Sequence, residues 1–402
     1  MPTEFLHGSE VIEIDSAIRP IRTVKSSIIG LVGTAPLADA AKFPLNEPVA
    51  ILGDQHQIAD LGATGTLADA LTSIFYQTGA VVVVVRVEEG VDIDATLSNV
   101  IGSAATFTGL HAFLSSREHL QLTPRILLAP GFTSQRPGDL ANPVVSALLG
   151  VAEKLKSVIF ADGPSTNYAD AVTWRQDFDS ARLHVTAPAV MLWDTATSQN
   201  VQMPAAPLIA GTQVWLDHNR GFWHSPSNRP LNQISGIARP IGYAEGDKDS
   251  EANLLNEQNV NTIVHSKGWR SWGNHSCSSD ELWRFTAVRR TADMINDSIV
   301  RAGITWQDKP LSQPQLIVNI VESGRAYLRS LKPLGAIVGG DMWIEEALNQ
   351  ETGLMAGHLV VSFDQEPPAP LERLTYRSHR NPTYYKVLIE DVIREINQLA
   401  GS

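Results

Sequence analysis

The run Ala80–Val87, AVVVVVRV, sets seven apolar residues around a single arginine without any alternation. A strand with one wet face alternates apolar and polar side chains, whereas one covered on both faces does not, and β-branched residues suit it. The segment therefore demands an interior strand with packing layers above and below. Just before it, LADALTSIFYQTG (Leu67–Gly79) places Leu67, Leu71, Ile74 and Phe75 on one side of a helix, with Gly79 as its stop. Upstream, SSIIGLVGTAP (Ser26–Pro36) reads as a buried strand entering a glycine turn.

The same unit recurs. A helical stretch around Thr108–Leu114 precedes RILLAPGF (Arg125–Phe132), and VVSALLGVAEKLKS (Val144–Ser157) precedes VIFADGP (Val158–Pro164). A further helix, Tyr168–Phe178, precedes RLHVTAP and VMLWD. Strands alternating with amphipathic helices predict an α/β fold with a doubly wound, largely parallel sheet. The Pro/Gly-dense stretch Pro204–Gly246 breaks that rhythm.

After Asn253 an α+β pattern takes over. Asp280 is the expected N-cap of a helix carrying Phe285, Val288, Ala292, Ile295 and Ile299 on one face, with Gly303 at its end. QLIVN (Gln315–Asn319) reads as a short strand leading into a helix, Ile320–Leu331, with Asn319 and Glu322 in capping-box positions. GHLVVSFD (Gly357–Asp364) reads as another strand, and QEPPAP (Gln365–Pro370) as a stiff linker. Beyond it, Leu371, Leu374 and Tyr376 alternate like a lone strand before a terminal helix, YYKVLIEDVIREINQL. At the other end Val11, Ile12 and Ile14 have strand character and no sequence-local partner. The expected organisation is an N-terminal arm (1–24), an α/β middle domain (25–252), a C-terminal domain (253–363) and a C-terminal arm (364–402).

A formal charge of −12 gives no basic footprint for nucleic acid. One cysteine allows no internal disulfide, which suits a reducing compartment. No basic segment followed by an apolar one opens the chain, and the longest apolar run is far too short to span a bilayer. A non-exported chain with no membrane insertion is expected.

Few residues suggest chemistry. GLVGTAP has Gly30 and Gly33 but lacks the third glycine and following helix of a dinucleotide turn. His275 and Cys277 sit two apart in the loop GWRSWGNHSCSSD (Gly268–Asp280), a spacing that rarely lets an imidazole reach a sulfur, so Cys277 reads as a small buried hydrophobe. The histidines show no metal-ligand spacing, and no cofactor is expected. Asp162 ends a strand where α/β enzymes place catalytic groups and could be a ligand or base, but a loop with an Asx-type turn is the preferred reading. Arg325, Arg329 and Lys332, at i, i+4 and i+7, form a cationic stripe suited either to solvent or to an acidic partner.

The segment WGNHSCSSDELWRFTAVRRTADMINDSI (Trp272–Ile299) resembles the signature of contractile tail sheath proteins of myophages and phage-tail-like bacteriocins. There a W-G-x-R-T-L-S-S-D loop leads into a W-R-F/Y-x-x-V-R-R helix. Trp272, Gly273, Ser278, Ser279, Asp280, Trp283, Arg284, Val288, Arg289 and Arg290 match, while His275, Ser276 and Cys277 replace Arg-Thr-Leu. Val100–Leu114 with Thr123–Phe132, Gly221–Ile237 and Glu322–Ile337 also look like sheath segments, so the resemblance runs through nearly the whole chain. It implies a structural subunit and not an enzyme. Such subunits polymerise helically around an inner tube and contract to drive that tube through a target envelope. It also implies arms that exchange strands with neighbours, and a C-terminal domain that meets the tube through Arg325, Arg329 and Lys332. The implied partners are further copies of the chain, a tail tube protein, and baseplate and terminator proteins. The implied place is a virion tail or tail-like particle assembled in the host bacterial cytoplasm. The alternative from the residues alone is an α/β nucleotide-using enzyme forming a small oligomer.

Overall fold

Strand β3 (Val81–Val87) lies inside a six-stranded sheet, and its side chains divide between two apolar layers. The structure is a computed structural model that describes residues 20–195 and 197–401. Val83 and Val85 point into one core with Leu97, Val100, Phe113, Val144, Leu148 and Trp174. Val82 and Val84 point into another with Leu67, Leu71, Ile74, Leu208, Ile209 and Val214. The sheet order is β2-β3-β1-β4-β5-β6, with β1 (Ile28–Thr34), β2 (Pro48–Leu52), β4 (Ile126–Leu128), β5 (Val158–Asp162) and β6 (Leu183–Thr186). All pairs are parallel except the edge pair β2–β3. Helices α1 (Leu67–Phe75), α2 (Ile93–Ile101), α3 (Ser116–Leu120), α4 (Pro143–Leu155) and α5 (Tyr168–Gln176) connect the strands. The arginine inside the valine run is satisfied without a charge partner among the described residues: Arg86 Nε donates to the Phe43 carbonyl at 2.6 Å.

Two expectations fail in the next stretch. VMLWD is not in the parallel sheet; as β7 (Val190–Asp194) it pairs antiparallel with β8 (Gln199–Met203) and β9 (Ile234–Ile237). Within the Pro/Gly-dense region lies a helix, α6 (Ala206–Asn219), whose residues from Ala206 to Val214 are all buried. A helix apolar around its whole circumference has no amphipathic stripe to read, and two prolines and a glycine nearby masked it further. Its N-terminus is held by Asp162, whose Oδ1 accepts from the backbone N–H of Ala205 at 2.6 Å and of Ala206 at 2.9 Å. Asp162 is thus a buried cap, not a base or ligand.

The C-terminal part carries α7 (Glu251–Glu257), the hairpin β10 (Thr262–His265) and β11 (Trp269–Trp272), then two long helices, α8 (Thr286–Gly303) and α9 (Pro314–Leu331). Asp280 does not cap α8. Its Oδ1 accepts from Leu282 N at 2.9 Å in a preceding turn, and Phe285 occupies the cap position. QLIVN is helical, because Pro314 starts α9 at its first turn and the helix continues through the β-branched residues. Asn319 is therefore internal and nearly buried; it accepts from Gln315 Nε2 at 2.8 Å, and no capping box forms. A third core joins α8 and α9 through Met294, Ile295, Val321, Leu328 and Leu331, with Ile337 and Met342 against them. Of Gly357–Asp364 only β13 (Ser362–Phe363) is strand, pairing with β12 (Met342–Trp343); the short helix α10 (Glu351–Met355) precedes it. The stiff linker leaves this body later than expected, since Glu366 still exchanges backbone bonds with Val338 and Gly339.

Residues Leu371–Ser402 form a separate unit. Leu371, Leu374 and Tyr376 are exposed and form no strand within the chain, and α11 (Tyr384–Ala400) follows with no buried residue. Val11, Ile12 and Ile14 lie outside the described residues.

Two buried titratable groups set opposing pH dependences. Burial, with a smaller contribution from His275, pushes the His184 imidazole down from 6.5 to about 3. Burial pushes the Asp162 carboxyl up from 3.8 to about 6, against the two N–H bonds it accepts. Between those limits the unfolded chain protonates His184 while the folded chain does not, so that residue makes acid destabilising. Asp162 does the reverse, being protonated in the folded chain only, so its contribution to stability is lost as pH rises toward 6. Each slope is about 1.4 kcal/mol per pH unit, and the two cancel between pH ~4 and ~6. Asp162→Asn should therefore make stability rise with pH across that window relative to the parent, and His184→Gln should make it fall. Denaturant midpoints across that range measure both; identical slopes in all three proteins would refute the pairing.

Candidate functional site

The loop that carries the sequence signature turns out to be a joint. Hairpin β10–β11 turns at Lys267 and Gly268, both at positive φ, and delivers Trp272 edge-on to Tyr243 with ring centroids 5.2 Å apart. Gly273 has φ +125, and a Cβ there would collide with the Asn261 side chain, so only glycine fits. Asn261 binds the loop to the sheet, donating through Nδ2 to the carbonyls of Val185 at 3.0 Å and His275 at 2.8 Å.

Cys277 is fully buried; its N–H donates to the Leu183 carbonyl at 2.8 Å and its own carbonyl accepts from Arg175 at 3.1 Å. Burial pushes its thiol up to about 12, so no thiolate exists near neutral pH. The His275 Nδ1 is 2.9 Å from Asn259 Oδ1, and the ring leans on Phe285. The pair has packing roles. Next to it, Ser279 donates through N–H and Oγ to Asp179, which holds that carboxyl below its ordinary range.

The rest of the signature docks α8. Trp283 lies under the Arg289 guanidinium at 4.1 Å, and Arg284 lies 5.0 Å from the Phe285 ring. Arg290 is buried against Asp217 of α6 and also donates to the carbonyls of Ser26 at 2.7 Å and Phe222 at 3.2 Å. Three and seven residues further on, Asp293 pairs with Arg182 before β6, and Asp297 with Arg125 before β4. Sequence reasoning missed this row. Its signal was present as three charged residues at 290, 293 and 297, close to the helix's apolar face.

The cationic stripe is only partly outward. Arg325 donates to Asp341 at 2.9 Å, to the Met342 carbonyl at 2.8 Å and to Glu322 at 3.1 Å. Asp341 is pulled below the usual carboxylate range by the Met342 N–H and then by Arg325. Arg329 is 66% exposed with a long 3.6 Å approach to Glu322, and Lys332 is exposed at the end of α9.

Gly30 and Gly33 lie within β1, and not in a loop; Cβ atoms there would press on Phe113, Leu127, Thr66 and Leu67. They serve close packing and leave no phosphate cradle. Among the described residues, no group of three or more His, Cys, Asp or Glu could hold a metal ion. No helix among them is long and apolar enough to cross a membrane.

Family models match at two places: "Phage tail sheath C-terminal domain" over residues 278–380 and "Tail sheath protein Gp18 domain III N-terminal region" over residues 26–87. The tail sheath protein of Escherichia phage P2 is 35% identical over 401 residues, covering 97% of this chain and 99% of its own. A prophage major tail sheath protein of Pseudomonas aeruginosa strain UCBPP-PA14 is 35% identical over 372 residues, 91% of this chain and 94% of its own. The fold is similar to the contracted helical sheath of the anti-feeding prophage, with TM-score 0.68 and 19% identity over 94% of this chain and 100% of that one. It is similar also to the contracted sheath complex of the extracellular contractile injection system PVC, with TM-score 0.68 and 16% identity over 96% and 100% of the two chains. A loop built to seat a helix, buried ion pairs in place of a reactive centre, and end-to-end sequence similarity agree: the chain belongs to the tail sheath protein family.

Proposed function

We propose that this chain is the repeating subunit of a contractile sheath, polymerising helically around an inner tube and contracting to drive it through a target envelope. The observation that carries the reading is the end-to-end similarity to the P2 tail sheath protein, through 97% of this chain. Tail sheath proteins are structural, and the nucleotide-using alternative has no phosphate cradle to rest on, because both candidate glycines are packed inside β1. Contraction needs bodies that move as units and links that survive the movement. The α/β core, read as a doubly wound middle domain (25–252) with a C-terminal domain (253–363), supplies the first. Arms at 1–24 and 364–402 supply the second.

The strand pair β12–β13 supports the arm reading. A two-residue ladder is marginal by itself and has edges onto which a neighbour's Val11–Ile14 or Leu371–Ser378 would add. Tube, baseplate and terminator proteins are the remaining partners, with assembly in the host bacterial cytoplasm. The tube-facing surface is α9, where Arg329 and Lys332 project while Arg325 holds Glu322 and Asp341 in place.

Reversing Arg329 and Lys332 to Glu should leave the subunit folded and able to polymerise alone, but unable to coat the tube. Partly exposed ion pairs are worth about 0–1 kcal/mol each, so the loss appears only through repetition along the tube. Normal tube decoration in negative-stain images of the double variant would eliminate this surface.

Deleting residues 1–20 should give a folded, largely monomeric protein with a thermal transition close to the parent's. Each exchanged backbone bond nets roughly 0.5–1.5 kcal/mol, and an arm makes several. Long cylinders from the truncated chain, or failure to fold, would each rule out strand exchange by this arm.

A further inference from the structure

At the N-terminal edge of the parallel sheet, the segment entering β1 and the residue preceding β4 enclose a cavity of about 330 Å³. Four cations line it: Arg22, Lys25, Arg125 and Arg301. Arg125 is 1% exposed; it pairs with Asp297 and donates to the Leu155 carbonyl at 2.7 Å, yet its Nε has no hydrogen-bond partner among the described residues. Arg301 shares the same Asp297 carboxylate at 2.9 Å. One carboxylate thus serves two guanidiniums. Arg22 and Lys25 are exposed, and among the described residues neither is in an ion pair. The cavity is built, concave and short of negative charge.

The opposite edge of the sheet carries the complement. Strands β1 and β3 run parallel in full register, Ile28 beside Val81 and Thr34 beside Val87. Seven residues at about 3.3 Å each put the two ends roughly 20 Å apart. Directly beyond Val87 comes EEGVDID, with Glu88, Glu89, Asp92 and Asp94 all exposed and Val91 completely so. The loop is held firmly. Asn99 Nδ2 donates to the Glu88 carbonyl at 3.0 Å, Gly90 N–H donates to Thr96 Oγ1 at 3.0 Å, and Asp92 caps α2 by accepting from Ala95 N at 2.7 Å. Among the described residues, Glu88, Glu89 and Asp94 are in no ion pair.

A cationic cavity at one edge of a sheet and a fixed acidic loop at the other cannot meet within one subunit. Between copies they would meet head to tail, a heterologous contact that builds a ring where the rotation closes and an open helical polymer where it does not. We propose that Glu88, Glu89 and Asp94 of one subunit enter the cavity formed by Arg22, Lys25, Arg125 and Arg301 of the next. The inference rests on the sheath reading and names a lateral contact within it. A second copy is the favoured occupant over a free anion, because polymerisation presents the loop at high effective concentration.

The test uses the full chain in three charge variants. Glu88→Lys with Glu89→Lys, and separately Arg22→Glu with Lys25→Glu, should each raise the critical concentration for cylinder formation at least ~10-fold, equivalent to about 1.4 kcal/mol. Both should keep the parent's circular dichroism and thermal transition, since all four positions are exposed. The chain carrying all four reversals should recover to within about threefold of the parent, and the parent's assembly should weaken with salt. If the parent forms cylinders and either pair of reversals leaves its critical concentration unchanged, the contact is wrong. It is also wrong if the fourfold variant fails to recover. Reversal of Glu10, Glu13 and Asp15 reproducing the cavity defect, with Glu88 and Glu89 inert, would assign the cavity to the chain's own N-terminal segment instead. Failure of the parent itself to form cylinders, with or without tube, would overturn the sheath reading and not this contact alone.

Discussion

Helix α8 is held to the body by charge. Arg290, Asp293 and Asp297 meet Asp217 on α6, Arg182 just before β6 and Arg125 just before β4. An ion pair taken out of water gives back much of its attraction in desolvation, so the row is not a large source of net stability. Its contribution is placement. Three partners in separate parts of the chain admit one rotation and one register of α8, where an apolar face would tolerate sliding. Arg290 and Asp217 have no second charge partner among the described residues, so opening that pair leaves a buried charge unmatched, at a cost of about 3–5 kcal/mol. Residues 20–370 therefore behave as one body, and α9, β12 and β13 are positioned through α8.

That rigidity gives the signature loop its meaning. Gly273 lets the chain pass Asn261, Cys277 fills the core beside Leu183, and Trp283 backs the Arg289 guanidinium. Each residue is placed for seating a helix.

Parts of this were legible in the amino acids. The valine run of β3 announced a strand covered on both faces, and the helix–strand rhythm through Thr186 announced the parallel sheet. Where the reading failed, tertiary context had overridden local signal. Helix α6 has no polar face to reveal its period, because it is buried all around. Ile317 and Val318 favour a strand, yet lie inside a helix that Pro314 starts and a shared core stabilises. Asp280 had the chemistry of a cap, and the chain spends it on a turn five residues early. The loop at 268–285 was found by its pattern, but its role depended on partners such as Asn261, Asp179 and Asp217, which no spacing rule connects to it.

Helix α11 exposes Val387, Leu388, Ile389, Val392, Ile393, Ile396 and Leu399, with no core of its own to cover them. Isolated helices below about 15 residues are marginal in water, and this one, at 17 residues, is little longer. Its stabilisation would have to come from an apolar surface outside this unit. If a neighbouring copy supplies it, a monomer joining an existing end finds that surface ready, whereas two free monomers must create it together. Growth would then be easy and initiation hard, giving polymerisation a lag and a threshold. Whatever supplies the first ready-made surface decides where, and how many, filaments begin.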